Sequence, residues 1–274
     1  MNILKNKLVV FTDLDGTLLD HHSYSYAPAR PALERLKESG TPLVMVSSKT
    51  RLEIEVLRAE LDNRDPFIPE NGGAVFLPPG CGLDPPAGME VAGEYRVTRF
   101  GQSREEITPA LETLAGRWPI RALSQMNMEE VMAWTGLTRP RALTARRREF
   151  GEAFLVDAPE VDEARLAADV AALGLELTRG GRFYHLLGGN DKGRAVSWLI
   201  ALYRAKHPGL LTAAFGDAPN DRPMLAAVDR AFLVAMPDGR YRPMDLPGLT
   251  KVPRPGPAGF NQSVLELLDE LESG

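Results

Sequence analysis

The chain has 274 residues, of which 44% are hydrophobic and 25% are charged, and its formal net charge is −5. This composition is typical of a globular protein with one large or two modest domains, and the negative charge argues against nucleic acid as a partner. No apolar run approaches the length of a membrane span, so we expect no membrane partner. The single cysteine, Cys81, excludes an intramolecular disulfide and predicts a reducing, cytoplasmic compartment.

The first predicted element is a buried strand that ends in two aspartates. The apolar run Val9-Val10-Phe11 is followed closely by Asp13 and Asp15, with Gly16 and Thr17 behind them. Ligands of open α/β sheets bind at the carboxyl ends of the strands. Two carboxylates this close repel each other unless a cation or a proton lies between them, which suits a magnesium site with one carboxylate left as a nucleophile. The same residues also fit a capped turn or the start of a calcium loop.

Strands and helices alternate in the next part of the chain. Apolar spacing, β-branched runs and turn residues define these elements. They are a helix over 29–39, a strand over 42–46, a helix with Leu52, Val56 and Leu57 as its apolar side, and a strand, turn and strand over 67–76. The alternation predicts a parallel sheet, with Ser47 directly after its second strand.

The pattern changes after this sheet-like region. Residues 77–93 are rich in proline and glycine, which indicates a loop or a domain boundary. Residues 94–187 mix short strands with helices rich in arginine and glutamate, and a strand over 182–187 ends the segment. This mixture predicts a separate, smaller α+β domain.

The sheet pattern resumes after the two glycines at 188 and 189. The predicted elements are helices over 192–206, 219–228 and 261–272 and strands over 210–215 and 231–235. We therefore predict a Rossmann-like, doubly wound α/β core formed by residues 1–85 and 188–274. An α+β cap domain over residues 86–187 would be inserted into this core.

Four groups of polar residues fall at predicted strand ends or helix starts. They are Asp13 with Asp15, Ser47, Lys192, and Asp217 with Asp221. Each group alone fits an ordinary role, such as a helix cap or a solvated lysine. At one edge of one sheet, however, they form the set that phosphoryl transfer requires. Carboxylates bind a magnesium ion, a hydroxyl group and an ammonium group bind phosphate oxygens, and one carboxylate attacks the phosphorus.

The four groups resemble the four motifs of the haloacid dehalogenase-type phosphatase superfamily. The first motif is matched by Asp13-Leu14-Asp15-Gly16-Thr17, the second by Ser47, the third by Asp191-Lys192-Gly193 and the fourth by the segment 216–221. The motifs occur in the right order over nearly the whole chain. The inserted segment between the second and third motifs resembles the larger α/β cap of the sugar-phosphatase branch of this superfamily.

The resemblance implies a catalytic role for four side chains. Asp13 would be the nucleophile that forms an aspartyl-phosphate, and Asp15 would protonate the leaving alkoxide and later activate water. Ser47 and Lys192 would hold phosphate oxygens. The implied magnesium ligands are Asp13, the Asp15 carbonyl oxygen, Asp217 and, through a water molecule or a hydrogen bond, Asp221.

Three further segments resemble the mannosyl-3-phosphoglycerate phosphatase family. They are residues 47–51, 69–73 and 180–185, and residues 148–152 match it less specifically. The substrate that this resemblance implies carries a phosphate, a carboxylate and a sugar. We therefore expect a positively charged partner for the carboxylate and polar side chains for the sugar or glycerate hydroxyl groups.

The resemblance also implies a set of substrate-binding residues. They are Thr17, Lys49, Glu70, Asn71, Arg148, Arg182, His185 and Asn220, and the backbone N–H groups of Gly16 and Thr17 would approach the phosphate. Either Lys49 or Arg182 would suit the carboxylate, while Glu70, Asn71 and His185 would suit hydroxyl groups.

Ordinary structural roles remain open for several of these residues. His185 also fits a buried core histidine, and Asn71 with the following glycine fits a plain hairpin turn. The arginines between residues 139 and 148 fit a solvated helix face, with at most one or two directed at the cleft.

The function expected from the resemblance is that of a magnesium-dependent phosphomonoester hydrolase. It would convert mannosyl-3-phosphoglycerate to mannosylglycerate, a compatible solute. A phosphatase of glucosyl-3-phosphoglycerate or of another sugar phosphate is the main alternative. A phosphomutase is disfavoured because no pattern marks the retention of a bisphosphate, and a catalytically silent phosphate-binding module would be expected to lack Asp13, Asp15 or Lys192.

Overall fold

The computed structural model describes residues 7–180 and 183–273. Their strands form one sheet of nine strands and one of four. In chain order the strands are β1 (Leu8–Thr12), β2 (Leu43–Val46), β3 (Phe67–Ile68), β4 (Ala74–Leu77), β5 (Glu90–Ala92), β6 (Tyr95–Arg99), β7 (Ile120–Ala122), β8 (Gly151–Val156), β9 (Glu176–Gly180), β10 (Phe183–Leu187), β11 (Leu211–Gly216), β12 (Arg230–Ala235) and β13 (Thr250–Pro255).

The helices connect and cover these strands. In chain order they are α1 (Arg30–Ser39), α2 (Arg51–Glu60), α3 (Arg104–Ala115), α4 (Met128–Thr135), α5 (Arg139–Ala145), α6 (Glu163–Ala171), α7 (Lys192–Lys206), α8 (Arg222–Ala226) and α9 (Gly256–Ser273). None of the helices in the described part of the chain is both long enough and apolar enough to cross a lipid bilayer.

The large sheet has the strand order β13-β12-β11-β1-β2-β3-β4-β6-β5. Neighbouring strands from β13 to β3 run parallel, and β4, β6 and β5 extend that edge by antiparallel pairing. Helices α1, α2 and α9 share a core with one face, and α7 and α8 share a core with the other. The prediction of a doubly wound α/β fold is therefore confirmed.

Strand β1 shows why its sequence is continuously apolar. Leu8 and Val10 pack into the core under α1 and α9, whereas Val9 and Phe11 pack into the core under α7. All four side chains have 0% exposure because helices cover both faces of the sheet. The strand consequently runs through the middle of the sheet and delivers the following aspartates to its carboxyl edge.

The small sheet has the order β7-β8-β10-β9 and is antiparallel throughout. One face packs on α3 and α6 through a core that includes Phe154 and Tyr184. The opposite face packs on α4 and α5 through Ala153, Leu155 and their neighbours. This unit lies between β6 and α7 in the chain, and α5 contacts α2 of the large sheet.

The predicted N-terminal boundary of the cap at residue 86 does not coincide with the sheets. Residues 90–92 and 95–99 form β5 and β6, which pair with each other and with β4 in the large sheet. The proline- and glycine-rich residues 77–93 are thus largely an excursion within one sheet. A density of turn residues does not distinguish such an excursion from a domain linker. The division into core and cap stays a prediction, with its first boundary moved to about residue 100.

Three local predictions also need correction. Val56 is 47% exposed, and the buried apolar residues of α2 are Ile54 and Leu57. Helix α9 begins at Gly256 rather than at residue 261. Strand β13 has no counterpart in the sequence analysis because it is an edge strand with one buried residue, Val252, and therefore carries no apolar run.

Candidate active site

The candidate site lies where adjacent parallel strands end. Asp13 follows β1, Ser47 follows β2 and Asp217 follows β11, and these three strands are neighbours in the sheet. Lys192 is the first residue of α7, where the side chain of Asp191 caps the helix by accepting hydrogen bonds from two backbone N–H groups. The structure therefore brings together the four groups that the sequence analysis selected.

Three carboxylates and one ammonium group form the centre of the site. Lys192 Nζ lies 2.7 Å from Asp13 Oδ1 and 2.6 Å from Asp221 Oδ1. Oxygen atoms of Asp13, Asp217 and Asp221 lie within 4.8 Å of one another, and all three residues are buried. The lysine side chain is only 1% exposed, so the solvent screens these contacts weakly.

Three buried carboxylates share one buried ammonium group in this centre. Burial, reinforced by the neighbouring Asp221, raises the pKa of Asp13 well above its usual value although Lys192 opposes the shift. Burial and Asp221 likewise raise the pKa of Asp217 to about 7. A divalent cation bound by oxygen ligands would offset this excess of negative charge. The donor set therefore fits magnesium.

Asp221 and two glycines shape the centre. Asp221 Oδ2 accepts hydrogen bonds from the backbone N–H groups of Asp217 and Ala218, each at 3.0 Å. A Cβ atom at Gly216 would lie 2.5 Å from the Asp221 Cβ, and one at Gly16 would lie 2.9 Å from Asp217 Oδ2. Both glycines are thus required for the close approach of these chain segments.

Asp15 lies beside a second lysine. Its Oδ2 atom is 2.9 Å from Lys49 Nζ. Within the described residues, Asp15 Oδ1 and Thr17 Oγ1 are buried without a hydrogen-bond partner. The backbone N–H groups of Gly16 and Thr17 donate to Leu19 and Leu14, at 2.8 and 3.2 Å. The expectation that these two N–H groups bind phosphate is therefore corrected, because they close the turn of the first motif.

A strained turn lies next to Ser47. Glu70, Asn71 and Gly72 have φ values of 50°, 59° and 93°, so three successive residues are left-handed. The Asn71 N–H donates to the Ser47 carbonyl at 2.9 Å. Its side-chain Oδ1 accepts from Asn220 at 3.1 Å, whereas Nδ2 is buried without a partner in the described chain. The turn joins β3 to β4 as a hairpin would, and it also presents this amide to the site.

The prediction that Glu70 binds substrate needs correction. Its carboxylate accepts hydrogen bonds from the backbone N–H groups of Glu149 at 2.7 Å and Phe150 at 3.1 Å. Arg148 Nε lies 3.4 Å away, and the Glu70 side chain has 0% exposure. Both oxygens are therefore engaged by the inserted segment and do not face a substrate. Glu70 ties that segment to the large sheet.

Arg148 and His185 bring the inserted segment to the site. Arg148 is buried and donates to the Ser48 carbonyl at 3.0 Å. His185, on β10, is also buried, and burial together with the charges of Arg148 and Lys192 lowers its pKa to about 3. The imidazole is therefore neutral, with its Nδ1 buried and unpartnered within the described chain. Arg182 lies outside the described residues.

The remaining arginines agree with the expected solvated face. Arg139, Arg141 and Arg147 are exposed, and Arg146 is half-buried and donates to the Ser124 carbonyl. Of this run, Arg148 is the member that contacts the second motif. This distribution follows the expectation that at most one or two of these arginines face the cleft.

Buried polar atoms without partners concentrate around the site. Among the described residues, those that lack a hydrogen-bond partner include Asp15 Oδ1, Thr17 Oγ1, Asn71 Nδ2 and His185 Nδ1. Because buried polar groups are nearly always hydrogen-bonded, such a concentration indicates a space built for a polar ligand.

Sequence reasoning missed Asn190 and Arg242. Asn190 Nδ2 donates to the carbonyl groups of Glu70 at 2.8 Å and Phe150 at 2.7 Å. Like Glu70, it stabilises the contact between the inserted segment and the large sheet. Its position two residues before Lys192 was the available signal. The charge of Arg242 opposes the raised pKa of Asp217. Its loop after β12 opens on the same sheet edge, but no motif marks it.

Substitution of Glu70 by alanine tests its role in the contact between the inserted segment and the large sheet. The change leaves two buried N–H groups and Arg148 without their partner, so we expect the free energy of unfolding to fall by about 3 kcal/mol. Burial raises the pKa of Glu70 to about 7, above its ordinary value of 4.5. The folded state therefore binds a proton more tightly between these values, and the contribution of Glu70 to stability falls as pH rises through this window.

Chemical denaturation at pH 5 and pH 8 measures this effect. The loss caused by Glu70→Ala should be larger at pH 5 than at pH 8. The matched control is Glu55→Ala, because Glu55 pairs with Arg51 at 2.8 Å near the surface and should contribute less than about 1 kcal/mol. Equal losses for the two variants would refute the role of Glu70 in this contact.

Comparison with known proteins identifies the class of proteins to which this fold belongs. Residues 10–79 match the family model described as haloacid dehalogenase-like hydrolase. The fold is similar to that of Thermoplasma acidophilum 0175, with a TM-score of 0.68 at 19% identity over 97% of this chain and 98% of the other. It also resembles a phosphatase of the haloalkanoate (HAD) enzyme superfamily from Bacteroides thetaiotaomicron, with a TM-score of 0.63 at 17% identity over 97% and 95% of the two chains. The fold is that of the haloacid dehalogenase-like hydrolases.

Relatives with higher sequence identity identify the family within this class of proteins. A glucosyl-3-phosphoglycerate/mannosyl-3-phosphoglycerate phosphatase of Methanococcoides burtonii is 42% identical over 96% of this chain and 97% of the relative. A protein of the same name from Persephonella marina is 40% identical over 97% and 99%. The mannosyl-3-phosphoglycerate phosphatase of Pyrococcus furiosus is 37% identical over 82% and 90%. The chain belongs to the mannosyl-3-phosphoglycerate phosphatase family.

Proposed function

We propose that this protein is a magnesium-dependent phosphatase that hydrolyses mannosyl-3-phosphoglycerate to mannosylglycerate. Glucosyl-3-phosphoglycerate is the second candidate substrate, which the combined names of two relatives favour. The observation that carries the proposal is the buried Asp13 carboxylate, held 2.7 Å from Lys192 beside Asp217 and Asp221. The single cysteine supports a cytoplasmic location for this activity.

The proposed reaction has two steps. An Asp13 oxygen attacks the phosphorus, the bond to the ester oxygen breaks, and Asp15 gives its proton to the departing alkoxide. Water then attacks the aspartyl-phosphate, Asp15 takes a proton from that water, and phosphate leaves with the Asp13 carboxylate restored. Lys192 and Ser47 stabilise the charge on the transferring phosphoryl oxygens.

Asp13, Asp217 and Asp221 are the side chains that we propose to hold the magnesium ion, together with the Asp15 carbonyl oxygen. When bound, magnesium would neutralise the charge that accumulates between a phosphate dianion and buried carboxylates. The support from the chain itself is that oxygen atoms of these three buried carboxylates lie within 4.8 Å of one another, and that burial together with the neighbouring Asp221 raises the pKa of Asp13 and Asp217.

Recognition of the rest of the substrate would rest on the inserted segment and the second motif. Lys49 and Arg148, which the structure places at the site, are candidates for the glycerate carboxylate, and Arg182, outside the described residues, stays a candidate from the sequence alone. Neutral His185 and the free amide of Asn71 offer hydrogen bonds to hydroxyl groups. The assignments of His185 and Asn71 follow from their burial and from the side-chain nitrogen that each leaves without a hydrogen-bond partner.

Turnover of a substrate panel tests the proposed function. The purified protein should release phosphate from both glycosyl-3-phosphoglycerates with a kcat/KM at least about tenfold higher than from mannose phosphates that lack glycerate, since one charge-assisted hydrogen bond supplies such a factor. EDTA should abolish the release, and excess magnesium should restore it. Equal rates on all sugar phosphates would leave a general sugar phosphatase, and unaltered rates in EDTA would refute the metal site.

A further inference from the structure

Lys49 occupies a distinctive position beside the proton-transfer residue. It lies two residues after Ser47 and directly before Thr50, the N-cap of α2. Its Nζ atom is 2.9 Å from Asp15 Oδ2 and 4.9 Å from the centre of the Tyr24 ring. The side chain is 15% exposed, which leaves it accessible to a ligand although it is largely enclosed.

The other acidic neighbour of Lys49 is Glu53, whose hydrogen-bond partner is Thr50. Glu53 Oε1 lies 3.9 Å from Lys49 Nζ, while Oε2 accepts hydrogen bonds from the backbone and side chain of Thr50 in the capping box of α2. Asp15 is therefore the closer carboxylate partner of Lys49. Since an ammonium group has three donors, Lys49 retains capacity for another anion.

Two other buried cations at the site, Lys192 and Arg148, already have several partners, and the half-buried Arg242 acts on Asp217. Lys192 contacts Asp13 and Asp221, and these contacts place it on the nucleophile side. Arg148 contacts the Ser48 carbonyl and Glu70. Of the cations in the described part of the chain, Lys49 is thus the one placed beside Asp15, where the departing oxygen of the substrate must lie.

A cavity of about 210 Å³ adjoins Lys49 between α2 and α5. Its lining combines groups that can form hydrogen bonds with an apolar wall. It includes Tyr24, Lys49, Glu53, Leu57, Arg141 and Thr144. Lys49 thus contacts Asp15 at 2.9 Å and also lines this cavity.

We propose that Lys49 is the specificity-determining residue that binds the carboxylate of the substrate. The inference rests on the proposed function and deepens it. The Asp15 carboxylate, held at 2.9 Å, marks the position at which the substrate carboxylate binds. A carboxylate separated from the ester oxygen by a short carbon chain replaces Asp15 on the ammonium, and Asp15 is released, takes a proton from the solvent and gives it to the departing oxygen. A substrate without a carboxylate leaves Asp15 paired with Lys49.

Paired substrates measure this role directly. They are glucosyl-3-phosphoglycerate and its analogue in which a hydroxymethyl group replaces the carboxylate. In Lys49→Met we expect kcat/KM for the carboxylate substrate to fall about 30-fold, mainly through KM, because one charge-assisted contact is lost. For the analogue it should not fall, since Lys49 makes no contact with the hydroxymethyl group and its loss also frees Asp15 from the ion pair. Lys49→Arg keeps the charge and should keep most of the preference.

The matched control is Lys37→Met, because Lys37 forms an exposed ion pair with Asp62 away from the site. This variant should retain both kcat/KM values. Lys49→Gln serves as the second neutral variant if Lys49→Met does not fold. An equal loss on both substrates, or a preserved carboxylate preference in the neutral variants, would overturn the inference while the phosphatase function stands. A wild-type protein inactive on both substrates would instead refute the proposed function.

Discussion

Replacing Asp13 by asparagine should lower kcat by at least about 10⁴-fold, as expected for the loss of a nucleophile that forms a covalent intermediate. The fold should survive the change. Burial and Asp221 raise the pKa of Asp13 well above its usual value, so a neutral side chain of the same shape is favoured at this position in the protein without metal. Phosphate release and thermal denaturation, measured side by side, check the two halves of this expectation.

The matched control is Asp84→Asn, because Asp84 is 94% exposed and lies away from the sheet edge that carries the site. Its activity and melting temperature should equal those of the unmodified protein. Acid-quenched protein should also yield a phosphorylated peptide containing Asp13, and the Asp13→Asn variant should not. Residual turnover of a few per cent in that variant would contradict the nucleophile assignment.

Replacing Lys192 by methionine should have a double effect. The kcat value should fall by about 10³-fold, since a preorganised cation at the transferring phosphoryl group is lost. The free energy of unfolding at pH 8 should fall by about 3–5 kcal/mol, because Asp13 and Asp221 would remain buried without their ammonium partner. Asp13, whose pKa burial already raises, would then bind a proton more tightly in the folded state, so stability should recover as the pH is lowered.

The control for this prediction is Lys206→Met. Lys206 is at the exposed end of α7 and lies 3.4 Å from Asp84, so its loss should change stability by less than about 1 kcal/mol. Magnesium should restore part of the stability of Lys192→Met and little of its activity, because the ion replaces the charge but not the contact with the phosphoryl group. A variant as stable as the control would show that Lys192 does not neutralise the cluster.

Local sequence was sufficient for the parts of the fold whose signal lies in neighbouring residues. The apolar run of β1 and the helical spacing of α7 predicted buried elements, and the bounds of α7 agree with the prediction at 192–206. The strand ends carrying Asp13, Ser47 and Asp217 followed from the same patterns. Their convergence was predictable because parallel neighbouring strands deliver their carboxyl ends to one edge.

The local sequence did not predict contacts between residues that are far apart in the chain. Glu70 resembled a ligand-binding carboxylate, yet its partners are backbone N–H groups of residues 149 and 150. Strands β5 and β6, at one end of the large sheet, lie in or just after a stretch of turn residues and looked like part of the insertion. Neither outcome has a signature at the residue itself, because each depends on what the folded chain places beside it.

The sequence by itself determined which chemical groups this protein has and the sheet edge at which they meet. The apolar periods of the strands and helices place Asp13, Ser47, Lys192 and Asp217 without reference to distant residues. The tertiary structure alone decided how those groups are paired. It gives Asp13 a lysine at 2.7 Å and Asp15 a different lysine at 2.9 Å. Such pairing is decided by burial and distance, since charges in a low-dielectric interior interact strongly only with the groups that folding brings into contact.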